Sequence, residues 1–369
     1  MTGGRLVSLD AFRGITVAAM VLVNNPGTWR AVYGPLRHAE WHGVTPTDLV
    51  FPFFLFIVGV AIPLALGRRL AAGESRAGLV GKVLRRSGII FALGLLLHAV
   101  PDFDLANIRI PGVLQRIAVC YLVAALVFLG TGWRAQAALA GVLLLAYWAV
   151  SMLVPVPGFG AGRLDPEGSL AAYLDRAVLG RHVWRAARVY DPEGLLSTVP
   201  AIATTLLGVL AGRWLRSPRR PGTIARGLLL AGALGAGLGA AWGVWFPLNK
   251  ALWTSSYALF TAGVATLALG ACYLLVDVWG WRRWTRPFVV LGVNALALFF
   301  LSSLLARLLI VIKVDGPSGR VALQRLVFDH VFAPWAPPTE ASFAYAMAYL
   351  LLWLTVMWLL HRGGVRLSV

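Results

Sequence analysis

Long apolar runs recur along this chain and limit what it can fold into more than any other feature. Each run has about 20 residues without strict apolar-polar alternation, which favours membrane-spanning helices, because a barrel strand needs only about 10 alternating residues. Hydrophobic residues make up 59% of the 369 and charged residues 13%. Soluble domains average about 45 to 50% apolar residues and about 25% charged residues. We therefore predict an all-α, polytopic membrane helix bundle that forms a single domain over residues 1–369.

The runs divide into ten candidate spans, of which the third is the weakest. Its uninterrupted apolar part, GIIFALGLLLHAV, would rise only about 20 Å as a helix, so it must borrow from the preceding turn. The first run has no A-x-A-like cleavage site after it, so we expect a retained span rather than a removed signal peptide. The predicted spans are 5–24, 48–66, 84–100, 112–129, 136–154, 195–212, 226–246, 252–276, 288–311 and 342–361.

Positive charge falls mainly in short loops on one side of this arrangement. If both termini are cytoplasmic, more than half of the 33 Lys and Arg residues lie on the cytoplasmic side. This positive-inside pattern predicts cytoplasmic termini and explains much of the net charge of +18 without a nucleic-acid partner. The polar segment 24–47 then faces outward, as do two longer loops at 155–194 and 312–341. The first of these could bind a sugar or simply cover the bundle.

Polar residues inside the predicted spans each need a partner, and five of them stand out. Asp10 and Arg13 are three residues apart on one helical face, so they can pair with each other or with a neighbouring helix. Gln115 and Arg116 enter the fourth span from outside, and an intramembrane arginine requires an anionic partner. Either a structural or a substrate-binding role fits them. For Asn294 we expect an interhelical hydrogen bond.

Small residues within the spans indicate packing rather than chemistry. Gly235, Gly239 and Gly243 recur at four-residue spacing, which lets two helices approach closely. Cys120 and Cys272 lie in apolar runs, where we expect small buried side chains rather than a disulfide or metal ligands.

Two polar motifs mark the outer edge. DPEG opens the sixth span, where Asp191 fits a helix N-cap and Glu193 fits the first turn. PLNKALW opens the eighth span with Asn249 and Lys250, and the lysine could snorkel to the membrane interface. A place in a substrate pocket is the alternative for these residues.

His38 lies in the polar segment between the first two spans. An imidazole has an ordinary pKa of about 6.5 and can carry a proton near neutral pH, and Asn24 or Asp48 could fix its tautomer. A catalytic histidine and an ordinary loop histidine both remain open on the residues alone. His38 and His42 do not form an H-E-x-x-H motif, so we expect no metal site.

Five motifs, in order from residue 5 to about residue 311, resemble the heparan-α-glucosaminide N-acetyltransferase family. They are RLVSLDAFRGITVAAMVLVNNPG, LRHAEWHGVTPTDLVFPFFLFIVG, RIPGVLQRIAVCYLVAAL, YDPEGLLSTVPAIATTLLGVLAG and PLNKALWTSSYALFTAG. The opening LDxxRG is also similar to the wider membrane acyltransferase superfamily, which implies acyl transfer more broadly than it implies one acceptor.

The resemblance implies a reaction and its site. Acetyl-CoA would be used from the cytoplasmic side, and the acetyl group would reach the amine of a glucosamine-type sugar on the far side. The family's active histidine falls on His38, its partnering asparagine on Asn24, and Asp48 occupies the matching position at the start of a helix. We take the remaining polar residues as candidates for the substrate and CoA pocket: Asp10, Arg13, Gln115, Arg116, Glu193, Asn249, Lys250 and Asn294.

The resemblance also implies a setting and leaves alternatives. Lysosomal members carry a further domain before the first span, which we expect to be absent here, and a bacterial inner membrane is the natural location. His38 could act as a general base or carry the acetyl group itself. An O-acyltransferase of envelope polysaccharide and an amino-sugar transporter remain as other functions. A homodimer is possible.

Overall fold

The computed structural model describes residues 6–316 and 319–365, and the predicted all-α helix bundle is confirmed. The α-helices within these ranges are α1 (Val7–Asn24), α2 (Val50–Ala71), α3 (Arg76–Ala99), α4 (Val113–Gly130), α5 (Trp133–Leu153), α6 (Leu170–Leu179), α7 (Thr198–Leu215), α8 (Pro221–Trp242), α9 (Ser255–Tyr273), α10 (Arg286–Val293), α11 (Ala295–Val311), α12 (Leu323–Val327) and α13 (Pro338–Arg362).

Short elements complete the described chain. A small antiparallel hairpin joins β1 (Lys313–Gly316) to β2 (Gly319–Ala322), with Lys313 opposite Ala322. The single-turn 3₁₀ segments are Gly34–Leu36, Pro46–Leu49, Gly180–His182 and Arg283–Thr285, and the π-helical segments are Leu274–Val278 and Phe328–Phe332.

The number of spans is lower than the ten predicted. Among the described residues, eight helices are long and apolar enough to cross a membrane, or nine if α10 and α11 count as one span bent by 69°. All ten predicted runs are helical, but α3 carries Lys82, Arg85 and Arg86 in its first half, which dilutes its apolar stretch. The chain is therefore a multi-pass membrane protein. The third predicted span, α3, is not among the candidate spans because of these charges.

Close helix contacts depend on glycine. A Cβ atom on Gly239 would overlap the backbone of Phe260, and Gly235 faces the backbone of Gly263, so the predicted tight packing of α8 is confirmed against α9. Gly243 lies just beyond the end of α8. Helices α2 and α7 approach each other just as closely, since a Cβ on Gly59 would overlap the carbonyl of Thr205.

Two sets of polar residues predicted inside the spans lie at the same end of the bundle. Asp10 and Arg13 pair at 3.5 Å near the start of α1, as predicted. Asn294 lies at the bend between α10 and α11 and donates to the carbonyl of Val365, just beyond α13, at 3.4 Å. Both positions are at the end of the bundle opposite Asn24, since α1 spans roughly 20 Å between Asp10 and Asn24.

The contact between α2 and α7 predicts a sharp difference between two glycine-to-alanine changes. Gly59→Ala should lower the unfolding temperature by several degrees, because the added methyl group must push two packed backbones apart at about 1 to 3 kcal/mol. Gly141→Ala on α5 meets no atom within 4 Å and is the matched control. Thermal unfolding of the two purified variants in the same detergent measures the difference. Equal unfolding temperatures would contradict the packing described.

Candidate active site

The start of α2 builds the centre of the site that contains His38. Thr45, Pro46 and Asp48 form a helical turn with a capping box, in which the Asp48 carboxylate accepts the backbone N–H of Thr45 at 3.0 Å. The same carboxylate accepts the backbone N–H of Ala39 at 3.0 Å. Asp48 is only 1% exposed, so these donors replace the water that a buried carboxylate would otherwise need.

His38 is oriented by this carboxylate. Its Nδ1 lies 2.6 Å from Oδ1 of Asp48. An ionised carboxylate can only accept, so the proton of a neutral His38 lies on Nδ1 and the lone pair on Nε2. The His38 side chain is 45% exposed, whereas that of Asp48 is 1% exposed. A fixed tautomer with an accessible ring is the arrangement that a general base requires.

Lys250 completes this group from a different part of the chain. Its Nζ lies 3.1 Å from Nδ1 and 3.4 Å from Nε2 of His38, and 3.5 Å from Oδ1 of Asp48. Burial lowers the pKa of Lys250, and the Asp48 carboxylate opposes that change. The ammonium group of Lys250 contacts these two side chains, so the lysine does not snorkel to the membrane interface as considered above.

The segment that carries Lys250 is held by buried hydrogen bonds. The Asn249 side chain is fully buried, donates to the carbonyl of Trp41 at 2.8 Å and accepts the backbone N–H of Leu252 at 2.8 Å. Trp253 adopts a φ of 49°, which is rare for a bulky residue, and is also fully buried. Asn249 thus ties the loop after His38 to the loop that presents Lys250.

Arg116 lies on the membrane side of this segment, with its guanidinium 5.1 Å from the ring centroid of Trp253. It donates to the carbonyl of Gly194 at 3.2 Å and to the hydroxyl of Ser197. The prediction of an anionic partner for Arg116 is wrong in the described parts of the chain, because no carboxylate oxygen lies within 4.0 Å of its guanidinium nitrogens. The aromatic face and two oxygens contact the guanidinium, whose Nε and Nη1 have no hydrogen-bond partner among the described residues. The buried Gln115 contacts the ring of His98 at 3.4 Å.

The DPEG motif does not cap a helix as predicted, because α7 begins only at Thr198. Asp191 instead accepts from Arg109 Nε at 2.9 Å and from the backbone N–H of Trp184 at 2.9 Å. Arg109 also pairs with Glu193. The motif is therefore a buried ion-pair cluster beside the site.

Asp175 was missed by sequence reasoning, although it braces this cluster. It lies on α6, in the long loop 155–194, and accepts the backbone N–H groups of Asp191 and Leu195 at 3.2 and 2.9 Å. Burial raises its pKa to about 6. A single acidic residue in a long polar loop gives no signal in the sequence. Its contacts favour the covering role for this loop.

The structure brings three of the predicted residues, His38, Asp48 and Lys250, into direct contact. Asn24 lies exposed at the end of α1, and within residues 6–316 and 319–365 no hydrogen bond joins it to His38. Among the same residues, no group of three His, Cys, Asp or Glu side chains is placed to hold a metal ion.

A cavity of about 770 Å³ lies at the opposite end of the bundle. The start of α1, the start of α10 and the last turns of α13 surround it. Its polar lining includes Arg282, Thr285, Arg286 and His361. Two guanidinium groups beside an apolar cavity suit a ligand that combines phosphate groups with an uncharged body.

The sequence matches the family described as heparan-alpha-glucosaminide N-acetyltransferase, catalytic, over residues 5–226. The chain belongs to this family. It is 33% identical to the human protein named heparan-alpha-glucosaminide N-acetyltransferase over 351 residues, which cover 80% of this chain and 52% of the relative. The mouse protein of the same name is 30% identical over 356 residues, with 81% and 53% covered.

The chain thus spans about half the length of the curated relatives it matches. The matched family segment contains His38, Asp48, Arg116 and the DPEG cluster. Lys250 lies beyond this segment, as do the parts of α10 and α13 that line the cavity, whereas Val7 of the cavity lining lies within it.

The pKa of Asp175 predicts a pH-dependent stability. Its folded value of about 6 lies above the value of about 3.9 in an unfolded chain, so native stability falls as pH rises between these values. Asp175→Asn removes this dependence. Between pH 4 and pH 6, the difference in the free energy of unfolding between the variant and the native protein should therefore shift by about 2 to 3 kcal/mol in favour of the variant.

Unfolding of the native protein and of the variant across this pH range measures the shift. Asp102→Asn, which removes one exposed carboxylate, is the control variant. A constant difference between Asp175→Asn and the native protein would contradict the pKa.

Proposed function

We propose that this protein is a transmembrane acetyltransferase that moves an acetyl group from acetyl-CoA to the amine of a glucosamine-type sugar. The observation that carries the proposal is the buried Asp48 carboxylate held against Nδ1 of the accessible His38. Membership of the family and the names of the human and mouse relatives support the reaction class. Because those relatives are about twice as long, the acceptor is part of the proposal.

In the proposed reaction, Nε2 of His38 takes a proton from the acceptor nitrogen as that nitrogen attacks the thioester carbonyl. The new C–N bond forms, the C–S bond breaks, and the CoA thiolate leaves. Asp48 stabilises the imidazolium that results, since its carboxylate lies 2.6 Å from the ring. Asn24 is proposed as a hydrogen-bond donor to the developing oxyanion, in keeping with the family resemblance.

The inner cavity supports entry of the donor from the side opposite His38. CoA carries its negative charges on the nucleotide part, and Arg282 and Arg286 line the cavity between α1 and α13. The pantetheine arm would then extend along the bundle toward the outer end, with Gln115, Arg116, Glu193 and Asn249 around its reactive end. This sidedness agrees with the positive-inside pattern and with cytoplasmic termini in a bacterial inner membrane.

His38→Ala tests the central assignment. Without its general base the protein should transfer acetyl groups at least about 10² to 10⁴ times more slowly. The assay follows N-acetylglucosamine and free CoA formed by purified protein from labelled acetyl-CoA and glucosamine. His330→Ala is the control, because His330 is exposed and bonds only to the carbonyl of Leu326 in the described structure.

The outcomes of this assay separate the alternatives. Near-normal turnover of His38→Ala would contradict the assignment of the base. An alkali-labile product would indicate O-acetylation, and absence of any product would favour transport. Labelled acetyl-His38 formed without acceptor would identify the histidine as an acetyl carrier rather than a base.

The donor site is tested separately by Arg282→Gln combined with Arg286→Gln. Loss of two charge-assisted contacts to phosphate should raise the KM for acetyl-CoA by at least about tenfold, with a smaller change in kcat. Arg283→Gln is the matched control, since Arg283 lies in the same segment but does not line the cavity. An unchanged KM in the double variant would exclude this cavity as the nucleotide site.

A further inference from the structure

Lys250 occupies an unusual position for a residue whose only task is packing. Its ammonium nitrogen lies within 3.4 Å of both ring nitrogens of His38, although 212 residues separate the two in sequence. It also lies 3.5 Å from the Asp48 carboxylate, and its side chain is 23% exposed. Since Nδ1 of His38 already donates to Asp48, the lysine can donate only to Asp48 or to the lone pair on Nε2.

The position of Lys250 is imposed by its surroundings. Its neighbour Asn249 bonds to the carbonyl of Trp41, and Trp253 packs under the same segment against Arg116. Both Asn249 and Trp253 are fully buried. The loop therefore holds the lysine at His38 instead of leaving it free to reach water.

The charges around the pair come from three directions. Asp48, at the start of α2, faces both His38 and Lys250. Glu193, before α7, also attracts Lys250 but is paired with Arg109, which in turn pairs with Asp191. His42 lies beside Asn249, and burial lowers its pKa, which favours its neutral form. Among the carboxylates named here, Asp48 is thus the one that contacts both His38 and Lys250.

A protonated His38 would place a second positive charge within 3.4 Å of the Lys250 ammonium. Like charges at this distance disfavour a state in which both groups are protonated. We propose that Lys250 is a positioning residue for proton transfer, whose ammonium group offsets the stabilising effect of Asp48 on a protonated His38 and so leaves the ring ready to accept a proton. The proposal rests on the proposed function only in assigning His38 as the base.

The same repulsion has a second consequence within the catalytic cycle. Once His38 has taken a proton from the acceptor, the neighbouring ammonium favours its loss to water, and the 45% exposed imidazole offers the route. Lys250 would therefore help to regenerate the free base after each transfer. Neither effect needs the lysine to touch the substrate.

The test is the pH profile of kcat/KM for the native protein, Lys250→Met and Lys250→Arg. Removal of the charge should move the midpoint of the acidic limb to higher pH by about 1 to 3 units. Lys250→Arg keeps the charge and should keep the native midpoint. A purely structural lysine would lower the rate at all pH values and leave the midpoint where it is, which would overturn the proposal.

A second measurement does not depend on turnover. Diethyl pyrocarbonate modifies neutral imidazoles, so its rate of reaction with His38, followed by peptide mass mapping against pH, reports the protonation of that ring directly. The profile of Lys250→Met should shift to higher pH as the kinetic limb does. Lys250→Gln replaces it if the methionine variant does not fold.

The two proposals can fail independently. A shift in His38 reactivity without acetyl transfer would retain the lysine assignment and reject the proposed function. Acetyl transfer that depends on His38 but shows no shift in Lys250→Met or Lys250→Gln would retain the function and reject the role of the lysine.

Discussion

The buried carboxylate of Asp48 is the interaction on which the end of the bundle around His38 depends. It accepts hydrogen bonds from the backbone of Ala39 and Thr45 and from the ring of His38, while it is almost inaccessible to water. Its own backbone carbonyl accepts the hydroxyl of Tyr257 from α9. One residue therefore starts α2, folds the preceding loop back over it and fixes the tautomer of the histidine. An unsatisfied charge at this depth would be costly, so the loss of any of these partners would destabilise the start of α2.

Around this carboxylate, the loops at the same end of the bundle are joined by polar contacts. Asp175 holds the segment between Asp191 and Leu195, and Arg116 connects that segment to the ring of Trp253. Such networks fix positions with higher precision than apolar packing, because each donor and acceptor has a preferred geometry. The glycine contacts between helices supply the rigid frame below. Precise loops on a rigid frame would suit the proposed transfer of an acetyl group between two separately bound substrates.

Several features could be predicted from the sequence because they depend on local composition. The helical runs follow from apolar length, and the ion pair of Asp10 with Arg13 follows from their spacing on one helix. Predictions failed where a distant partner decides the outcome. Asp191 looked like a helix cap, but Arg109 and a backbone amide from another segment hold it before the helix begins. Arg116 seemed to need a carboxylate, whereas the face of Trp253 and two oxygens surround it.

The sequence by itself determined that the chain is a membrane helix bundle with a polar segment between its first two spans, since the length of an apolar run and the cost of burying backbone polar groups leave no other solution. It also carried the family resemblance that directed attention to His38. Only the tertiary structure decided which residues surround that histidine. Asp48 is ten residues away in sequence and Lys250 is 212 away, and no local rule connects the loop before α2 to the loop before α9. Their meeting depends on how the helices pack.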